Sequence, residues 1–145
     1  MSQELTTHQP QKTDGTITYI AFGSDIQVKL SIPIIRKYLA KPTRSGAEPT
    51  DADCMTFMLM CQARALNPWE KDAYLVGYDG KNGAEFSIIT AISALTKRAE
   101  SSDVFDGIES GVIIKDKAGE IVYREGDFYL DGETILGGWA NVHKK

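Results

Sequence analysis

With 145 residues and a net charge of −4, the chain is long enough to bury a real core in one domain, and its overall charge argues against a generally basic nucleic-acid binder. An acidic body still leaves room for a local basic groove. No apolar stretch approaches the length of a membrane span, and MSQELTTHQPQKTDG lacks both the charge pattern and the apolar centre of a signal peptide.

Residues 1–16 are polar and unpatterned, which predicts a mobile tail ahead of a single domain over 17–145. Ile17, Tyr19 and Ala21 alternate with other residues, as do Ile26, Val28 and Leu30, with Gly23 and Ser24 between, so a strand pair or hairpin is expected. Ser31 can cap a short helix carrying Ile32, Ile34, Ile35, Tyr38 and Leu39, and Pro33 is tolerated in its first turn. KPTRSGAEPT, from Lys41 to Thr50, reads as a polar loop.

The stretch from Asp51 to Tyr74 organises the rest. Thr50 or Asp51 can cap a helix that then turns apolar almost all round, from Cys54 to Leu66, which predicts a helix buried on every side. Cys54 and Cys61 would sit about 10 Å apart along such a helix, too far for a disulfide. They read as buried core thiols of a reducing cytoplasm. Asn67 tolerates the left-handed conformation that ends helices, and Pro68 cannot continue one. Trp69 and Lys71 are thereby delivered to one rigid corner.

Two strands follow, Tyr74 to Tyr78 and Glu85 to Ile89, joined through DGKNGA with its hairpin-forming Asp-Gly and Asn-Gly pairs. Thr90 or Ser93 can cap a helix ending near Ala99, with Lys97 and Arg98 where cations suit the dipole. From Phe105 to Trp139 the segments GIESGVIIK, EIVYREG, FYLD and ETILGGWANV, with a DKAG turn, predict a meander of short antiparallel strands. The order of elements indicates α+β: a short antiparallel sheet or meander packed around a buried central helix, with further short helices.

Constellations for catalysis are thin. His8 and His143 form neither a metal cluster nor a dyad, and neither a GxxxxGK[ST] phosphate loop nor a GxGxxG is present. Asp79-Gly80-Lys81 shares a carboxylate–lysine spacing with some metal-dependent nucleases, but turn chemistry explains it better, and Asp103, Asp106 and Glu109 match no calcium loop. The chain is therefore not expected to be an enzyme or to need a cofactor. There remain cations near aromatics: Lys71 beside Trp69, the Lys97–Arg98 pair, and His143, Lys144 and Lys145 after Trp139. Lysine and arginine neutralise phosphates, and aromatic rings accept stacked bases. Each tryptophan also has a plainer reading, Trp69 as a core plug and Trp139 as a packed ring beside Gly137 and Gly138, which would let another backbone come close.

The ordered series ALNPWEKDAYLVGY, FSIITAISALTKRAE, FDGIESGVII and GGWANVHKK resembles the phage single-strand annealing proteins of the RecT and lambda Bet type, over roughly Asp51 to Lys145. The resemblance implies single-stranded DNA binding and ATP-independent annealing of complementary strands in phage-type homologous recombination, in the cytoplasm of a host cell. It implies a homo-oligomer, ring or filament, holding single-stranded DNA and the annealed duplex, and it leaves room for a partner exonuclease. Carried over, the DNA-binding residues are Lys71, Lys97, Arg98, His143, Lys144 and Lys145, and the reading of the residues adds Trp69 and Trp139 as rings for the bases. Family members continue with a further segment rich in Lys and Arg, so relative to the family the chain is expected to lack its C-terminal part, either as a truncated or partial product or as an unusually short member. On that basis an oligomerisation or interaction domain without annealing activity is the alternative, and a metal-dependent nuclease a distant third.

Overall fold

The computed structural model describes residues 15–145, so the polar tail expected at 1–16 lies outside the described residues except for its last two. The chain is α+β, in two compact units that divide between Leu95 and Thr96.

The first unit opens with the expected hairpin: β1 (Ile17–Ile20) pairs antiparallel with β2 (Gln27–Leu30). Val28 and Leu30 point inward and are fully buried, while Gln27 and Lys29 face out, the alternation of a half-buried strand. Ser31 caps α1 (Ile32–Ile34) with its hydroxyl accepting from the Ile34 N–H, and Pro33 occupies the first turn. The helix does not continue as an α-helix. It widens into a π-helical stretch (Ile35–Leu39) closed by the Ala40 N–H donating to the Ile35 carbonyl.

A two-residue strand follows where the sequence suggests helix end and loop. β3 (Ala40–Lys41) runs parallel to β4 (Ala73–Gly80), pairing Ala40 with Leu75 and Lys41 with Val76. β4 turns through Lys81 and Asn82 into β5 (Gly83–Thr90), as the Asn-Gly signal predicts; Gly83 takes the positive φ of +122°.

The central helix, α2 (Asp51–Ala63), begins with a full capping box: the Thr50 hydroxyl accepts from the Asp53 N–H while the Asp53 carboxylate accepts from the Thr50 N–H. Its buried residues are Cys54, Phe57, Met58 and Cys61, at i, i+3, i+4 and i+7. The expectation of burial on every side fails. Met55 is 38 % exposed and Leu59 49 %, because the unit covers one face of the helix only. The two free thiols are buried as expected, and burial pushes the Cys61 thiol up to about 12.

The second unit holds β6 (Phe105–Lys115), β7 (Ile121–Glu125) and β8 (Thr134–Lys144), all antiparallel and ordered β7-β6-β8. The DKAG turn is closed by Asp116, whose carboxylate accepts from the Ala118 and Glu120 N–H groups. FYLD, expected as a strand, is a loop instead. Arg124 makes a bidentate pair with Glu133 (2.7 and 2.9 Å), the same carboxylate accepts from the Leu130 N–H, and the guanidinium lies over the Phe128 ring. That clamp draws the segment into a bend and leaves Phe128, Tyr129 and Leu130 each more than half exposed.

The close backbone approach near Trp139 falls on Gly111, not on Gly137 or Gly138. A Cβ on Gly111 would lie on the Arg124 carbonyl oxygen, whereas one on Gly137 would meet nothing within 4 Å. Trp139 pairs with Gly111 across the ladder and donates its indole N–H to the same Arg124 carbonyl, at 3.3 Å.

Candidate nucleic-acid interface

The corner after α2 is built from backbone hydrogen bonds outward. Ala65, not Asn67, adopts the left-handed conformation (φ 48°), and the Leu66 N–H donates to the Cys61 carbonyl while the Ala65 N–H donates to that of Gln62. Asn67 is extended and caps the next turn instead, its side-chain oxygen accepting from the Trp69 N–H. The short 3₁₀ turn Pro68–Glu70 then ends at Lys71, held left-handed at φ 66°. Such a conformation in a non-glycine residue costs roughly 1–2 kcal/mol and persists only where the surroundings over-determine it.

They do so here. The Asn67 N–H donates to the Asp72 carboxylate at 2.9 Å, the Asp72 N–H donates to the Asn67 carbonyl, and the Ala91 N–H donates to the Asp72 carbonyl. Asn67, Pro68, Asp72 and Ala73 are buried, and between them Trp69, Glu70 and Lys71 project outward. The one carboxylate facing inward is thus satisfied by a backbone donor, and the lysine is turned to solvent.

Trp69 is 49 % exposed, which overturns its reading as a core plug. Leu66 and Leu75 belong to the buried core instead. Trp69 shares a depression of about 240 Å³ with Tyr38, Leu39, Lys41, Lys71 and Tyr74. Tyr38 and Trp69 stand 6.4 Å apart with their planes tilted by 42°. Lys37 Nζ lies 5.2 Å above the Tyr38 ring, and Lys41 Nζ 5.8 Å above that of Tyr74. Three lysines and three aromatic rings meet at this place.

Lys37, Tyr38, Lys41 and Tyr74 escape the sequence reading. The π-helical turn sets Tyr38 out to solvent at 62 % exposure, and the parallel pairing of β3 with β4 brings Lys41 beside Tyr74. The local signal that could have found the first three is the placing of Tyr38 between Lys37 and Lys41 in RKYLAK, and none marks Tyr74.

The remaining predicted site residues belong to the second unit. Lys97 and Arg98 are half-buried in the last turn of α3 (Ile92–Glu100). His143 lies on β8 with Nε2 3.2 Å from the Glu109 carboxylate of the neighbouring β6, and Lys144 and Lys145 follow it, exposed. Val104, Phe105, Val142, His143 and Lys144 line a mostly apolar hollow of about 300 Å³. Trp139 is half-buried, its N–H committed to the sheet. Among the described residues no group of three or more His, Cys, Asp or Glu is placed to hold a metal ion, and no helix is long and apolar enough to cross a membrane.

The chain matches the RecT family over residues 28–145. It belongs to the RecT family. The match reaches back through β2, the π-helical turn and β3, well before the Asp51 at which the motif resemblance begins. Both Tyr38–Lys41 and the Trp69–Lys71 corner therefore lie inside the RecT region. Nothing matches among the curated proteins or among the solved structures.

Proposed function

We propose that this RecT-family chain binds single-stranded DNA and anneals complementary strands without ATP, in phage-type homologous recombination. The observation that carries the reading is the family match over residues 28–145. The geometry at the corner supports it: a left-handed lysine, a half-exposed tryptophan and a lysine–tyrosine cluster on rigid backbone. The mechanism involves binding without bond chemistry. Cations hold the phosphates, base edges stay free, and a second strand tests Watson–Crick pairing against them.

In this reading Lys71 is the primary phosphate contact, and Lys97, Arg98, His143, Lys144 and Lys145 supply further ones on the second unit. Trp69 offers a ring, while Trp139 serves its sheet. Adjacent subunits of a homo-oligomer would extend the groove along the strand. The second unit buries Ile114 fully and exposes Ile108, Tyr123, Phe128, Tyr129, Leu130 and Val142, the kind of apolar surface that subunit contacts cover. The same observation supports the second reading, an oligomerisation domain that does not anneal.

One experiment separates the two. The protein is mixed with a labelled oligonucleotide at two salt concentrations, and annealing to its complement is followed without nucleotide. Binding that weakens steeply with salt, with faster annealing, is the expected result. Self-association with no binding at low salt would leave only the oligomerisation reading, and cleavage products with added magnesium would overturn both.

A further inference from the structure

Tyr38 and Trp69 are both large and exposed, at 62 % and 49 %, and neither stacks face to face on the other. At 6.4 Å and a tilt of 42° they form an open wedge in which a π-face stays available. Apolar rings left open in this way would ordinarily invite another protein surface. Charge decides against that here, because Lys41 and Lys71 line the same depression and Lys37 lies over its outer ring. Glu70 is adjacent in sequence but does not line it, and the Asp72 carboxylate is turned into the buried corner. Exposed aromatic rings beside lysines, with no lining carboxylate, suit a planar group attached to an anionic backbone.

We propose that this depression takes one nucleobase of the bound strand, stacked on the Trp69 indole beside Tyr38, with Lys41 and Lys71 on the flanking phosphates. The proposal rests on the DNA-binding reading above and adds to it a mode of binding. Stacking engages the face of the base and leaves its pairing edge exposed, so it is compatible with a search for a complement. It is also indifferent to sequence, since every base has a π-face.

The test compares an oligodeoxythymidine with an abasic strand of equal length and charge, using the full chain. The Trp139→Phe variant makes Trp69 the sole indole, since the chain has two tryptophans. Its emission is expected to be quenched by oligodeoxythymidine and unchanged by the abasic strand. Tyr38→Ala and Trp69→Ala are each expected to lower affinity for oligodeoxythymidine between about fivefold and a hundredfold, the span expected when one ring ceases to stack, with abasic binding unaltered. Tyr38→Phe, which keeps the ring, is expected to bind like the parent. Equal reductions on both strands, or none on either, would overturn the stacking proposal while leaving DNA binding in place. A changed sedimentation coefficient with unchanged affinity per protomer would overturn it in favour of an interface between protein copies. A parent protein that binds neither strand would remove the DNA-binding reading itself, and the proposal with it.

Discussion

At Lys71, conformation and charge can be tested apart. The residue is left-handed at φ 66° and exposed. Lys71→Gly relieves the steric strain and removes the cation, so unfolding should show stability unchanged or raised by up to about 1 kcal/mol, while affinity for single-stranded DNA falls. A fall in both together would mean that the lysine side chain supports the fold. Trp69 follows the same logic. Because its ring is half in solvent, Trp69→Ala should lower stability far less than the roughly 3–5 kcal/mol typical of a buried aromatic, as read by thermal denaturation. The Arg124–Glu133 clamp adds a pH signature. Its hydrogen bonds to Arg124 and to the Leu130 N–H hold the Glu133 carboxyl at about 2, below its ordinary 4.5. A carboxyl depressed in the folded state stabilises the protein above the unfolded value and gives up that contribution as pH falls. Stability should therefore decline between about pH 4.5 and pH 2 more steeply in the parent than in Glu133→Gln. Equal slopes in the two proteins would show that the clamp contributes nothing.

Among the elements, α2 and β6 make the sharpest predictions. Phe57 is fully buried on the i, i+3, i+4, i+7 stripe, and Phe57→Ala should cost roughly 3–5 kcal/mol in chemical denaturation. Thr50→Ala removes the capping box and should cost about 1 kcal/mol. Leu59→Ala, on the exposed face, should be nearly neutral. In the second unit Gly111→Ala drives a methyl into the Arg124 carbonyl and must shift β7 or β6, whereas Gly137→Ala meets open space. Near-ultraviolet circular dichroism of Trp139, which packs beside Gly111, should change in the first variant and not in the second.

For the whole molecule, a net charge of −4 requires that any affinity for DNA be local. Each lysine that neutralises a phosphate should, when replaced by alanine, make the salt dependence of binding shallower by about 0.7 in the logarithmic slope. Lys41→Ala and Lys71→Ala are expected to do so additively, and the double change Lys97→Ala, Arg98→Ala should reveal whether the second unit holds phosphates of its own. Affinities equal to the parent's with an unchanged slope would place the groove elsewhere.

The sequence by itself determined whatever depends on neighbours along the chain. The β1–β2 and β4–β5 hairpins follow from alternation and turn residues, the start of α2 from Thr50 and Asp53, and RecT membership from motifs in order. The tertiary structure decided what depends on residues far apart. The strand signal of FYLD is overridden because Glu133 captures both Arg124 and the Leu130 N–H. A helix apolar all round buries only the face that β1, β4 and the helical turn before β3 cover, and local pattern carries no record of how many faces are covered. Most of the candidate site is of this second kind. Trp69 and Lys71 were legible as a pair at a helix exit, but their companions Tyr38 and Lys41 arrive through a parallel pairing of Ala40 with Leu75. Parallel pairing joins strands across a long connection, so no turn signal marks it. The ring that a sequence assigns most readily to the core is exposed here because the buried hydrogen bonds of Asn67 and Asp72 turn the chain outward between them.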